Sequence, residues 1–245
     1  ENPYWQHFSG MAYFEPRLPC DATTLVKFRR LLGEEGVEEL LAQTVNLAVS
    51  LKLIPASALA TVVVDSTVQE KAVAHPTDSK LLETARAKLV EAAQGVGIEL
   101  KQTFAKEGQV LRFKAGRYAH ARQFKRMRRV IKRQSTVVGR LVREIERKAN
   151  GLSTAVRQAL DGVLGKAQRI ADQSRSRKNT SGSSKLYAWH APEVECIAKG
   201  KSRTPYEFGV KVGIAATLKH NLIVGARAFT GNPYDGHTLS TQLEQ

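Results

Sequence analysis

Thr61-Val62-Val63-Val64-Asp65 is a β-branched run with no second such run close to it in the chain. Three consecutive valines entered by a threonine read as a short strand buried on both faces. A buried strand must pair, and the next period-two stretches come only after about 110 residues of helical periodicity. Phe208 to Ile214 alternates large with small or polar side chains. Leu222 to Phe229 comes next, across Lys219-His220-Asn221, which reads as a hairpin turn. The fold class expected is therefore α+β, mostly α. A partial sheet of three strands is interrupted by a long helical insertion and preceded by an N-terminal helical domain.

Asp65 closes the valine run. A carboxylate at the tip of a buried strand is held rigidly, with its other end open to a cleft, which is what a metal-ion or acid/base site needs. The plainer reading is that Asp65 stops the strand and caps a turn through Ser66-Thr67.

The first 18 residues mix Tyr4, Trp5, Phe8, Tyr13 and Phe14 with Pro and Gly. They predict an irregular, partly helical lead whose rings pack on the next part of the chain. Asp21 is placed to cap a helix carrying Leu25, Phe28, Leu31 and Leu32, and Gly33 breaks it. A second helix from about Glu34 to Leu53 ends at Pro55. Two helices joined at a glycine resemble a helix-turn-helix. The second begins with Glu34, Glu35, Glu38 and Glu39, however, and an acidic face lies poorly against phosphates.

Beyond the strand, Thr77 or Asp78 caps a helix with Leu81, Leu82, Ala85 and Leu89 as its stripe. A long helix is expected from about Gly116 to Ala149. Phe124, Met127, Ile131, Val138, Leu141 and Ile145 repeat at heptad spacing, with Gln134 in the missing place. Leu152, Val156, Leu160, Ala167 and Ile170 return the pattern after Asn150-Gly151, giving an antiparallel hairpin. Residues 173–184 read as a polar linker. Residues 186–189 and 194–197 look extended, and a last helix starts near His237. The expected divisions are 1–55, 56–78 with 185–245, the insertion 79–172, and the linker 173–184.

The chain has 245 residues and a formal net charge of +15. Residues 101–148 hold sixteen Lys or Arg against three acids, a local excess of +13. Arg122, Lys125, Arg126, Arg129, Lys132 and Arg133 fall on or beside one helical face. A merely solvated face would mix signs, yet no acid occurs from Gly108 to Leu141. Self-repulsion on that scale is relieved by a polyanion, nucleic acid before membrane, so these six residues are the candidate nucleic-acid contacts. No base-reading code is recognisable, and phosphate contact is the expectation. No run approaches the length of a membrane span. Cys20 and Cys196 are far apart and lack CxxC spacing, which fits a reducing, intracellular setting. The N-terminus lacks a signal-peptide pattern. It also lacks an initial methionine, as a fragment or processed chain would.

Several blocks together resemble a known family. They are Asn2-Pro3-Tyr4-Trp5-Gln6, Leu18-Pro19-Cys20-Asp21, Leu25-Val26-Lys27-Phe28-Arg29 and Val64-Asp65-Ser66-Thr67-Val68-Gln69-Glu70-Lys71. To these add His75-Pro76-Thr77-Asp78-Ser79-Lys80-Leu81-Leu82, Pro205-Tyr206-Glu207-Phe208-Gly209-Val210-Lys211 and Asn232-Pro233-Tyr234-Asp235-Gly236-His237-Thr238-Leu239. In that order they resemble bacterial insertion-sequence transposases with an InsH-like N-terminal domain before a DDE catalytic domain.

The resemblance implies an RNase H-like sheet with Asp65 as the first catalytic and metal-binding aspartate. It also implies two Mg²⁺ ions as cofactor, double-stranded DNA as partner, a possible homodimer and a bacterial cytoplasmic setting. The family's second aspartate and its glutamate would lie beyond Gln245. Asp235 is not taken as the second, because it precedes the helix that should come first. A single aspartate supplies too few ligands for a metal pair, so this stretch is expected to be inactive by itself. The competing readings are a non-catalytic DNA-binding remnant and an unrelated basic nucleic-acid-binding helical protein.

Overall fold

The computed structural model of the protein describes residues 2–18, 20–176, 185–198, 200, 202 and 204–244. Among them are seven α-helices: α1 (Pro3–Phe8), α2 (Ala22–Ser50), α3 (Asp78–Gly95), α4 (Ala105–His120), α5 (Phe124–Ala149), α6 (Thr154–Arg175) and α7 (Asp235–Leu243). The strands are β1 (Val62–Glu70), β2 (Glu195–Ala198), β3 (Tyr206–Thr217) and β4 (Ile223–Phe229). The chain divides into two compact units. One is the chain up to Asp65 with Ile214–Ala226; the other is Ser66–Gly213 with Arg227–Glu244.

In the first unit, Asp21 caps α2 by accepting from the Thr23 N–H at 2.8 Å. Gly33 breaks the helical path of α2 with φ 64° and ψ −167°, so two helices meet at a kink there, as expected. Glycine takes this left-handed φ without the clash a Cβ would bring. The N-terminal rings do not pack inward as expected: Tyr4, Trp5, Phe8, Tyr13 and Phe14 are all exposed. The lead is closed instead by the Gln6 amide, which donates to the Glu15 carbonyl and accepts from the Glu15 N–H.

In the second unit, α3, α5 and α6 pack on one another, and α4 lies along α5 and α3. Thr77 caps α3 by accepting from the Lys80 N–H. Leu82, Ala85 and Leu89 of α3, Val138, Leu141 and Ile145 of α5, and Ala167 and Ile170 of α6 are fully enclosed. The returning hairpin is thus part of a larger bundle. The expected long helix from Gly116 is two helices, because the chain turns at 121–123. As a result the seam is covered only from about Val130 onward, and Phe124 stays exposed. Arg86, buried in α3, binds both Glu83 oxygens and the Thr103 carbonyl, which ties the α3–α4 connection to the bundle. The bundle runs from Asp78 to Arg175 rather than 79–172, and the helix takes the first residues assigned to the linker. Of that linker, residues 177–184 lie outside the described residues.

The sheet has four strands among the described residues, one more than expected, in the order β1-β3-β2 with β4 also on β3. The additional strand is β2, antiparallel to β3 with Glu195 opposite Gly209 and Ala198 opposite Tyr206. Two backbone bonds, Lys71 N–H to Phe208 O at 3.0 Å and Leu218 N–H to Thr61 O at 3.3 Å, bracket an antiparallel β1–β3 pair. Twelve-residue β3 is long enough to serve both β2 and β4. The valine run does not end at Asp65. Ser66-Thr67-Val68 continues the alternation, and β1 is half-buried on one face and exposed on the other, not buried on both.

Gly209 is the tightest point of this pairing, since a methyl there would overlap the Gln69 carbonyl. We expect Gly209→Ala to lower stability by about 1–3 kcal/mol, the usual cost of overpacking a fitted contact. Thermal melts of the two proteins check this, and an unchanged midpoint would contradict the pairing.

Candidate nucleic-acid interface

α5 has a buried side and a basic side. At about 100° per residue, Val130, Gln134, Val138, Leu141 and Ile145 face the bundle. Lys125, Arg129, Lys132, Arg140, Arg143 and Arg147 succeed one another along the outer side, with Thr136 in the gap between Lys132 and Arg140. The first acid of α5 is Glu144. Burial of large apolar residues decides the helix rotation, and the cations have to accept the side that remains.

The six residues expected to bind DNA take different positions. Arg122 lies in the α4–α5 turn with φ 54°, not on a helical face. There Arg122 N–H bonds Ala119 O and Gln123 N–H bonds Tyr118 O, the pattern that ends a helix on a left-handed residue. Lys125, Arg129 and Lys132 are exposed on α5. Arg126 donates to the Gln123 side chain at 3.0 Å. Arg133 is engaged elsewhere: its guanidinium makes a two-pronged contact with Glu107 of α4, at 2.6 and 3.1 Å. That bond, above all, holds the Glu107 carboxyl below its ordinary value, helped by the nearby charge of Arg140.

Farther along α5 the cations converge. Arg140, Arg143 and Arg147 line a concavity of about 640 Å³ together with Lys101 and Phe104. Its two acids are unequal. Glu144 accepts from the Lys101 backbone N–H and from the Lys148 ammonium, each at 2.9 Å, and these bonds hold its carboxyl below the ordinary value. Glu146 is exposed. Four cations around a half-buried aromatic ring form a surface suited to phosphates. In the sequence the stripe ends at Arg133, because Thr136 interrupts it. Resuming the same spacing beyond Thr136 reaches Arg140, Arg143 and Arg147, whereas Lys101 comes into the group only through tertiary structure.

Asp65 is exposed in the middle of β1, which continues past it to Glu70. It is therefore not at a strand tip, as the sequence led us to expect. Asp235 opens α7 and pairs with the buried ammonium of Lys211. Among the described residues no three His, Cys, Asp or Glu side chains come together to hold a metal ion. No helix among the described residues is long and apolar enough to cross a membrane.

No family model matches the sequence. No solved structure matches it either. Over 124 residues, 51% of this chain, it is 45% identical to a Rhizobium meliloti protein named as an uncharacterized protein, ORF8 in the nfe locus. That match spans 60% of the relative's length, less than two thirds of it.

The Glu107–Arg133 contact carries a pH dependence. A carboxylate lowered on folding contributes stability above its unfolded value, here 4.5, and loses it as pH falls through the lowered value. Glu107→Gln should therefore cost about 0.2–1 kcal/mol at neutral pH, the range for a pair this exposed. The difference from the parent should vanish once pH falls below the folded value. Melts taken down through the carboxylate range test this, and a gap that persists in acid would contradict it.

Proposed function

We propose that this chain is a DNA-binding portion of a DDE-type insertion-sequence transposase. The observation that carries the reading is the one-signed outer side of α5, which ends in the Lys101, Arg140, Arg143 and Arg147 concavity. Duplex DNA is the partner such a surface suits, since a line of cations along a helix can follow a phosphate backbone without reading bases. An RNase H-like catalytic fold is supported by the antiparallel run of β1, β3 and β4 with α7 after it. It is also supported by Asp65, which is exposed on a paired strand.

In this reading Asp65 supplies one carboxylate towards bound magnesium. The remaining ligands are not assembled among the described residues, so residues 1–245 are expected to hold DNA without cutting it. The competing reading of the same surface is a non-catalytic chain that grips DNA and needs no metal.

Salt titration of duplex binding tests the interface. Each phosphate contact contributes roughly −0.9 to the slope of log affinity against log salt. Replacing Arg140, Arg143 and Arg147 together with Ser should flatten the slope by about 2 to 3, as three lost contacts would. Arg133→Gln should change it little, because that side chain is held by Glu107. A triple variant with parental affinity and slope would contradict the interface. Magnesium-dependent nicking by residues 1–245 that Asp65→Asn leaves unchanged would contradict the role given to Asp65.

A further inference from the structure

The chain between α3 and α4 is pinned just before Phe104. The Arg86 guanidinium donates to the Thr103 carbonyl at 3.0 Å, and the Lys101 N–H donates to the Glu144 carboxylate at 2.9 Å. Phe104 takes φ 53° and ψ 24° at the N-cap of α4, and its carbonyl accepts from the Gly108 N–H at 2.8 Å. Nothing in that backbone role calls for an aromatic residue. Glycine or asparagine takes a left-handed φ readily, and a bulky side chain seldom does. Helix caps are made by small polar side chains, and Phe104 makes no side-chain cap bond. What phenylalanine supplies at this position is its ring. The residue is half-buried: it packs against the apolar core of the bundle, and it also lines the concavity of Lys101, Arg140, Arg143 and Arg147.

Size decides what can reach that ring. The concavity holds about 640 Å³, within the range of about 300–1,000 Å³ usual for small-molecule sites. A duplex can lie across its mouth and touch the arginines, but it cannot enter. The bases of a duplex also cover one another's faces, so they offer the ring nothing to stack on. An unpaired nucleotide meets both conditions. It is small enough to enter, and it presents a free face to an aromatic side chain while its phosphates stay with the cations.

We propose that Phe104 is a stacking platform for an unpaired DNA base, and that the concavity therefore favours DNA with a single-stranded stretch over continuous duplex. The proposal rests on the DNA-binding reading of the same concavity and adds the form of DNA that it takes.

Two duplexes with single-stranded tails of equal length test it. One tail carries bases, among them a fluorescent purine analogue whose emission falls on stacking. The other is abasic, so both present the same phosphate charge. The parent should hold the base-bearing tail roughly five- to a hundredfold more tightly, the advantage that one stacked base gives, and the emission should fall on binding. The salt slope should be equal for the two tails, because their phosphates are equal. Phe104→Leu stays apolar but has no ring. It should bind both tails with the affinity of the abasic one, keep the parental salt slope and lose the fall in emission. Phe104→Tyr should keep the preference. If the parent binds blunt duplex yet does not distinguish the tails, or if Phe104→Leu still distinguishes them, the stacking role is overturned and the DNA-binding reading stands. If the parent binds neither blunt nor tailed duplex, that reading fails and the stacking role falls with it.

Discussion

The packing of α5 against both α3 and α6 governs most of what this chain presents to its surroundings. Val138, Leu141 and Ile145 are fully enclosed there. Each such side chain contributes about 1.5–3 kcal/mol through burial. Like-charge neighbours on a helix surface cost only about 0.2–0.5 kcal/mol per pair. The core therefore wins, and it fixes a rotation that gathers the cations of α5 on the other side although they repel one another.

Local acids then decide which cations remain available. Glu107 takes Arg133, Glu83 takes Arg86, and Glu144 takes Lys148. The first pair ties α4 to α5, and Arg86 donating to the Thr103 carbonyl and Glu144 accepting from the Lys101 N–H tie the α3–α4 connection to the bundle. The side left facing solvent is a line from Lys125 to Arg147, deepest where Lys101 and Phe104 meet Arg140, Arg143 and Arg147. Acid-paired and solvent-facing arginines thus sit on one helix.

The bundle was legible in the sequence where large apolar residues repeat, as at Val138, Leu141, Ile145, Leu160 and Ile170. The α4–α5 break was not, because Arg122 holds the left-handed position that glycine usually marks. β2 escaped assignment to the sheet because four residues carry too little alternation to separate a strand from an extended loop. Asp65 was read as a strand end since Ser66-Thr67 has turn composition; pairing with β3 overrides that preference. Of the candidate interface, the charge excess and its helix were readable. The loss of Arg133 to Glu107 and the arrival of Lys101 were not, because both arise from contacts distant in sequence.

The basic side of α5 can be examined most directly by mapping arginine reactivity towards a guanidinium-modifying reagent, with and without duplex DNA. Arg140, Arg143 and Arg147 should become protected when duplex is added at low salt. Arg157, whose guanidinium is bound to the carbonyls of Ala149 and Asn150, should react as before. Equal modification of the three α5 arginines in both conditions would contradict the account.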